Sequence, residues 1–569
     1  MASDSKSTFS WVHLALLVAL CGAIYFPYLS STPFFDKGEP REAMAVQDIM
    51  TRGEWLVPLK RATDIPSKPP LFHWSAALTA SLSGRLNEAT IRFPSALYAT
   101  LAVLTLYILA RKLFDPSVAL LGGAILATTL VYANQALSAR VDMTLCFVVT
   151  LSLATFYALY KGSLTAPAWY YFFYALVGIG TLAKGPLGIV LPGLVCASFV
   201  LSKRRWDLVR KFCFHPGVLL MIVLGAGWYV VAVMRGGEGF FSRQIVEENL
   251  ARFAGGSGHS HPVYYYIPYL FSQGLPWSIF LPFLVWDYFK AKLYLNEDKL
   301  FFGLWFVAMF IFFSVSAGKR PVYLLPLYPA VSILLALWFR ETIVGRSRVW
   351  LLRFLSINAV VVGALLLVIT LGALWNHDPG WFFDPIGKML RAKDRANLMT
   401  IRHGLDDFGR AFTVVAVFSA VLWLALAGYL WQGKLKPAAR ALILISILLA
   451  FVSRAIVLPA IAEAKSYKSF VVAVGREVDA RKLYLYGDFN SDAVVFYRGE
   501  PIEILSDSSQ VKNVAGVAQP GYVIMPVQKY DELRAADAQL PAPLIRSVGA
   551  GPEGDAPLVL VTLNTVGKR

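Results

Sequence analysis

A helix needs about 20 consecutive apolar residues to cross the hydrocarbon core of a bilayer, and this chain supplies runs of that length from end to end. We place about thirteen of them: Trp11–Leu29, Arg92–Leu113, Ser117–Ala136, Met143–Tyr160, Ala168–Ala183, Pro186–Leu201, Pro216–Met234, Pro268–Phe289, Leu300–Ala317, Val322–Phe339, Trp350–Trp375, Phe408–Trp431 and Ala441–Leu458. In lipid, backbone N–H and C=O groups must bond within the segment, so the pattern dictates an all-α polytopic membrane domain. Of 569 residues 57% are hydrophobic and only 16% charged, too few charges for a soluble domain. No small-residue cleavage site follows Trp11–Leu29, which is expected to remain as the first helix.

The formal net charge is +17, but nucleic acid is not the partner it implies. The Lys and Arg residues sit in short loops between spans, where the positive-inside rule places them. With the N-terminus inside and Phe72–Leu82 taken as a juxtamembrane helix, the inner loops hold Arg111/Lys112, Lys161, Lys203/Arg204/Arg205, Lys290/Lys292, Arg346/Arg348 and Lys434/Lys436. The same assignment sends the loop 30–91, Arg140-Val-Asp142, Lys184-Gly-Pro186, the stretch Arg235–Ile267 and Gly318–Tyr323 to the outer face. The chemistry-bearing loops therefore converge on one side. We expect a multi-pass membrane protein with its active site and C-terminal domain on the outer face. Cys21, Cys146, Cys196 and Cys213 lie in or beside apolar runs, so neither a disulfide nor a thiolate metal site is expected.

The first outer loop is the most informative. It carries Asp36, Lys37, Glu39, Arg41, Glu42, Lys68 and His73, a density of charge that a connector does not need. Glu39-Pro40 predicts a helix start and Gly53 its end. Pro66, Pro69 and Pro70 make the next stretch non-helical and stiff, presenting Lys68. Glu39, Asp36 and Asp142 are candidate catalytic carboxylates, able to share base and orienting roles. Lys68, Arg41, Arg140, Lys184, Arg252, Lys319 and Tyr323 are candidate donor-binding residues, because cations in outer loops need a reason and phosphate supplies one. Contact with lipid headgroups is the plainer reading. His261, His259 and Glu247 offer donors for a divalent metal ion; incidental histidines in a glycine-rich loop explain them equally well, so no cofactor is assigned. No nucleotide-binding glycine loop occurs.

After Leu458 the composition changes. Ser466–Arg481 and Lys529–Ala536 are predicted helical. Lys482–Tyr486, Ala493–Tyr497, Pro501–Leu505, Gly521–Pro526 and Leu558–Leu563 are predicted strands. The expected division is a transmembrane domain over 1–459 and a small extracytoplasmic α/β domain over 460–569.

Taken in order, Gly38-Glu39-Pro40-Arg41, Lys68-Pro-Pro-Leu71, Arg140-Val-Asp142, Ala183-Lys-Gly-Pro186, Glu247–Arg252, His261–Tyr266, Leu275-Pro-Trp277 and Gly318-Lys-Arg-Pro-Val-Tyr323 resemble the GT-C glycosyltransferases of the protein O-mannosyltransferase and aminoarabinose (lipid A) transferase superfamily. The resemblance implies that a sugar moves, with inversion, from a polyprenyl-phosphate donor to an acceptor on the outer face of the membrane. The acceptor it implies is a lipid or lipid A-like glycolipid, or alternatively a protein hydroxyl. Two positions depart from the pattern. Gly38 stands where the family has Asp, with Asp36 two residues before it, and Ser67 stands where aminoarabinose transferases carry Glu. A lipid or solute transporter, the alternative of another class, calls for charges at mid-membrane, and these spans are nearly free of them.

Overall fold

The computed structural model describes residues 10–59, 64–65, 67–242, 261–344, 349–376, 380–390, 392–478, 482–515, 521–536, 540–552 and 556–563. Helix α1 (Trp11–Tyr25) starts where the Ser10 hydroxyl accepts the His13 N–H. Two short helices follow, α2 (Glu39–Arg52) and α3 (Leu71–Ser83), each ended by a glycine in the left-handed region, Gly53 and Gly84. Asn87 and Thr90 form a reciprocal capping box that opens α4 (Glu88–Leu113). Then come α5 (Pro116–Thr128), α6 (Leu130–Ala136), α7 (Val141–Tyr160), α8 (Ala168–Lys184) and α9 (Leu187–Ser202). Further long helices are Gly217–Phe241, Glu297–Val315, Tyr328–Val344, Val349–Asn376, Ala392–Trp431 and Leu435–Val452. Among the described residues nine helical stretches are long and apolar enough to cross a membrane, ten if the bent pair α5–α6 is one span.

The departures from the expected spans have local causes. Ser117–Ala136 is bent by 66° at Thr129, where the Thr128 and Thr129 hydroxyls bond back to the carbonyls of Ala124 and Ile125. Pro268–Phe289 is not one helix: Tyr266–Gln273, a 3₁₀ turn at Trp277–Phe280 and Leu281–Lys290 replace it, since Gly274 and Pro276 break the ladder. The two breaks satisfy each other, because Leu130 N–H donates to the Leu275 carbonyl at 3.0 Å and Trp277 Nε1 to Thr128 Oγ1 at 3.0 Å. Non-helical backbone at membrane depth survives only with such partners. Val322–Phe339 begins as a 3₁₀ turn over Pro321–Leu327. Ala441–Leu458 runs on through a π-helical stretch at Ser453–Val457 into Leu458–Lys465, so a helix crosses the expected boundary at 459/460.

The C-terminal sheet has the order β2-β1-β3-β5-β4, with β1 Leu483–Tyr486, β2 Glu503–Leu505, β3 Gly521–Pro526, β4 Ile545–Arg546 and β5 Leu558–Leu563. β1 runs parallel to β2 and β3, while β5 is antiparallel to β3 and β4. Ala493–Tyr497 is not the expected strand but part of a helix, Asp492–Arg498. Its apolar run is buried throughout instead of alternately, Asp492 stabilises the helix N-terminus, and Gly499 at φ 86° ends it.

The sheet does not have a core of its own on the face toward the membrane domain. Leu485, Ile524 and Leu560 join Phe470 and Val494 in one apolar cluster with Phe34, Met44 and Phe72 of the first loop. A polar lock sits beside it. Glu88, buried in the first turn of α4, accepts from Lys468 Nζ at 2.7 Å and from Tyr497 OH at 2.9 Å, and Tyr497 in turn accepts the Phe34 N–H at 2.6 Å. Removing the acceptor strands the Tyr497 hydroxyl, at a cost of about 1–3 kcal/mol, while the half-exposed Lys468 ammonium turns to water. Hydrogen exchange of the Phe34 amide is therefore expected to speed up about tenfold or more in Glu88→Ala; an unchanged rate would show that the apolar cluster alone docks the domain.

Candidate functional site

Helices α7 and α8 are antiparallel neighbours joined by a short turn, so the start of one lies beside the end of the other. Asp142, in the first turn of α7, receives the ammonium of Lys184, in the last turn of α8. Each sits at the helix end whose partial charge favours it. The Lys184 ammonium also lies 4.5 Å from the centre of the Tyr323 ring, a cation–π contact. Around this pair Arg41, Glu42, Lys68, Arg140, Asp142, Lys184, Arg320 and Tyr323 line a single cleft at one end of the bundle. Four separate outer loops of the sequence reading do meet there.

The first loop is fastened to α7 by charge. Asp36 Oδ1 accepts the Gly38 and Glu39 N–H groups, both at 2.7 Å, so it caps α2 with a negative charge. Its other oxygen takes Arg140 Nη2 at 2.7 Å. Burial pushes the Asp36 carboxyl up, but the Arg140 guanidinium and the two backbone donors outweigh burial and hold it below its ordinary value. Glu42 is nearly fully buried. It accepts from Arg41 Nη2 at 2.9 Å and pairs with His73 Nε2 at 2.9 Å. Here too burial raises the pKa and the Arg41 charge, with the His73 bond, wins, leaving the carboxyl well below the usual range.

Two expected roles move. Glu39 does not line the cleft. Both of its oxygens are held by Arg92, Nε and Nη2 each at 2.8 Å, and Ala139 N–H adds a third bond at 2.9 Å. Its carboxylate is spent on these three bonds inside the protein, where Glu39 is only 4% exposed. Lys319 is only 3% exposed, and its ammonium donates to the carbonyls of His261, at 2.8 Å, and Ser316; its neighbour Arg320 faces the cleft instead. Arg252, His259 and Glu247 lie outside the described residues. The His261 ring stacks on Tyr265 at 4.3 Å, and no group of three His, Cys, Asp or Glu side chains with ligand geometry occurs among the described residues. The donor set of the cleft does not fit a divalent ion, because Asp36, Glu42 and Asp142 each already carry an Arg or Lys.

The family model for dolichyl-phosphate-mannose-protein mannosyltransferase matches residues 67–230. The undecaprenyl phosphate-alpha-4-amino-4-deoxy-L-arabinose arabinosyl transferase of Pseudomonas aeruginosa (strain UCBPP-PA14) is 30% identical over 432 residues, 74% of this chain and 77% of that protein. The chain belongs to the aminoarabinose transferase family of GT-C glycosyltransferases. The enzyme of the same name from Edwardsiella ictaluri is 27% identical over 397 residues, covering 68% of this chain and 70% of that one. The fold agrees: crystal structures of ArnT from Cupriavidus metallidurans, bound to undecaprenyl phosphate and in the apo state, superpose with TM-scores of 0.75 and 0.77 at 23% and 22% identity. The first covers 98% of this chain and 99% of that one, so the C-terminal sheet domain belongs to the shared architecture.

The sequence alone gave no role to Glu42, His73 or Arg92 and pointed to Arg320 only as one of the outer-loop cations, yet all four lie in or around this cleft. Glu42 and His73 gave a weak signal, a carboxylate and an imidazole in short helices on the same loop. Arg92 gave a stronger one, an arginine at the mouth of an apolar span, which demands a partner. The Gln variant of Glu39 tests the reassignment. It leaves Arg92 buried without its counter-charge and is expected to cost about 3–5 kcal/mol of stability, read as a fall in Tm and in folded yield. A Glu39→Gln enzyme that folds normally and fails only in turnover would restore the base role. The pH behaviour has a definite sign. Asp36 and Glu42 are both depressed, so their contribution to stability is complete above the ordinary carboxylate values near pH 4 and is lost only as the pH falls through the folded ones. Loosening of this loop centred above pH 5, followed by hydrogen exchange, would contradict the pairing described.

Proposed function

We propose that this transferase moves a sugar from an undecaprenyl-phosphate-type donor to a phosphate group of a lipid A-like glycolipid, at the outer face of a bacterial inner membrane and with inversion at the anomeric carbon. The donor class is that named for the curated relatives, and the cleft's charge supports it. Five cations, Arg41, Lys68, Arg140, Lys184 and Arg320, face three carboxylates, Asp36, Glu42 and Asp142. The surplus of positive charge matches a phosphate monoester, which carries about −1.5 to −2 at neutral pH. As the bond to the anomeric carbon breaks, negative charge builds on the departing phosphate, and pre-positioned cations at that point lower the barrier.

The observation that carries the acceptor is the state of the carboxylates. A hydroxyl acceptor needs a general base whose pKa lies near the working pH. Among the described residues of the cleft, Glu42 is held far too low, Asp36 is low and spent on Arg140 and the α2 N-terminus, and Asp142 carries Lys184. A phosphate acceptor arrives already ionised and needs no base. Protein O-glycosylation, which attacks with a hydroxyl, fits this arrangement less well. Tyr323 and the Lys184–Asp142 pair would orient the reacting groups.

An acceptor glycolipid with its phosphates removed is therefore expected to accept no sugar, and turnover on the intact acceptor should fall as the pH drops through about 6, the second pKa of a phosphate monoester. Transfer to the dephosphorylated lipid at a comparable rate would overturn the reading. Lys184→Ala and Arg320→Ala should weaken binding of undecaprenyl phosphate, whereas Lys319→Ala should act on folding. The orientation is tested by cysteine labelling of intact cells: Asp488→Cys is expected to react from outside and Lys434→Cys to be protected.

A further inference from the structure

The helix that begins at Leu435 passes out of the bundle beside α1, and the two leave an apolar groove of about 250 Å³ between them and the helix Ala392–Trp431. Its walls include Ile24, Phe418, Leu444 and Leu448, and Leu444 and Phe418 are about half exposed on the lipid-facing surface. At one end the groove is closed by Tyr28 and Phe451, whose rings meet edge to face at 6.4 Å. One turn beyond Phe451 comes Arg454, inside the π-helical stretch Ser453–Val457. This groove has no lining residue in common with the α7–α8 cleft.

Arg454 is a membrane-embedded cation with no ion-pair partner among the described residues; the charges nearest it, Arg92 and Glu39, are already paired with each other. Its Nη2 donates to the Asn134 side-chain oxygen at 2.8 Å and the Asn134 carbonyl at 3.3 Å, and among the described residues no carboxylate pairs with it. The uncharged Asn134 supplies no counter-charge, and the remaining guanidinium donors are not taken by the described protein. Measured along the axis from Leu435, Arg454 stands about 28 Å away. Leu435 follows Lys434 at the opposite end of the span, and the hydrocarbon core is about 30 Å thick, so the guanidinium lies at the level of the far headgroups. Tyr28 beside it is an interfacial aromatic at the same level. π-Helical turns inside α-helices are frequent at functional sites.

We propose that this groove is a binding site for one anionic glycerophospholipid of the surrounding membrane, with an acyl chain lying along Ile24, Phe418 and Leu448 and its phosphate on Arg454. Charge selects that occupant. A phospholipid phosphate is a diester with a single negative charge, matched by one guanidinium, whereas the five-cation cleft is built for a monoester. The groove opens to the bilayer along its length, so a resident lipid needs no entry path. Its phosphate would neutralise Arg454 and would tie α1, α6 and the helix from Leu435 together behind the first loop.

The full-length protein in mild detergent, titrated with phosphatidylglycerol and followed by native mass spectrometry, tests the site. Wild type is expected to hold one such lipid more tightly than Arg454→Gln by about fivefold, the equivalent of the roughly 1 kcal/mol that a basic residue gives at an anionic surface. Arg454→Lys should retain it. Ala450→Trp, which fills the groove and leaves Arg454 and the donor cleft untouched, should abolish it with undecaprenyl phosphate binding unchanged. Equal retention by wild type and Ala450→Trp would overturn the proposal, and so would equal retention of phosphatidylglycerol and zwitterionic phosphatidylcholine by wild type. Displacement of phosphatidylglycerol by lower concentrations of undecaprenyl phosphate would likewise overturn it, assigning the groove to the donor lipid. Should Arg454→Gln fail to fold, the Ala450→Trp variant and the choice between the two phospholipids still decide.

Discussion

The ion pair between Arg92 and Glu39 is the interaction on which the rest of the site depends. It joins a transmembrane helix, α4, to the first residue of α2, and both partners are almost wholly buried, Arg92 at 2% and Glu39 at 4% exposure. Burying two charges costs several kcal/mol per ion unless every donor and acceptor is used, and here nearly every one is. Arg92 spends Nε and Nη2 on Glu39 and Nη1 on the carbonyls of Leu29 and Thr32, while the Phe34 ring lies 5.1 Å from its guanidinium carbon. One arginine therefore sets the end of α1, the path of the loop and the start of α2. Glu39 reaches on to the Ala139 N–H and sets the residue that precedes Arg140. The cleft is assembled from what this pair holds still.

With that scaffold in place, the remaining charges can serve a substrate. Each carboxylate around the cleft is paired with a cation: Asp36 with Arg140, Asp142 with Lys184 and Glu42 with its neighbour Arg41, while His73 of α3 bonds the other Glu42 oxygen. Such pairing keeps the cations in position without letting them collapse onto one another, and the excess positive charge is left for the ligand. The C-terminal domain acts on the same loop from above. Its Phe496 packs on Phe34 with ring centres 5.2 Å apart, and Glu88 ties both Lys468 and Tyr497 to the mouth of α4. A loop that carries catalytic groups is ordinarily mobile; here it is clamped between a membrane helix and a sheet domain.

How much of this was legible in the sequence follows from the range of each signal. Most of the spans, the short helices after Glu39 and before Gly84, and strands β1, β3 and β5 were readable, because each depends on periodicity or on a local glycine, proline or cap; about thirteen spans were expected, against nine or ten long apolar ones among the described residues. The breaks at Thr129 and Gly274 were not, since each is stable only through the other, across far-separated positions. Asp492–Arg498 was misread because a five-residue apolar run fits a strand and a buried helix equally well. Convergence of Arg41, Lys68, Arg140, Lys184 and Tyr323 was legible from topology, as loops on one side of a membrane must meet. The role of each charge was not. Glu39 and Glu42 differ by three positions and in nothing else that composition records, yet one faces Arg92 in the core and the other faces the cleft. Lys319 and Arg320 are adjacent, and the turn of one residue decides which is buried on backbone carbonyls and which lines the cleft.

Gly38 shows how a departure from the family pattern is absorbed. A side chain at this position would begin where Arg140 already lies: a Cβ built on Gly38 falls 2.4 Å from the guanidinium carbon. An acid there, as the family pattern has it, and the present Arg140 conformer cannot coexist. With glycine, the guanidinium crosses the N-terminus of α2 and finds its carboxylate two residues earlier, at Asp36. That carboxylate still caps the helix, and it still meets the arginine that precedes α7, so the electrostatic link between loop and helix is kept while its chain position moves. A single carboxylate performs both the capping and the pairing. The consequence is that Asp36 has little left to offer a substrate. Asp36 instead holds Arg140 at the rim of the cleft.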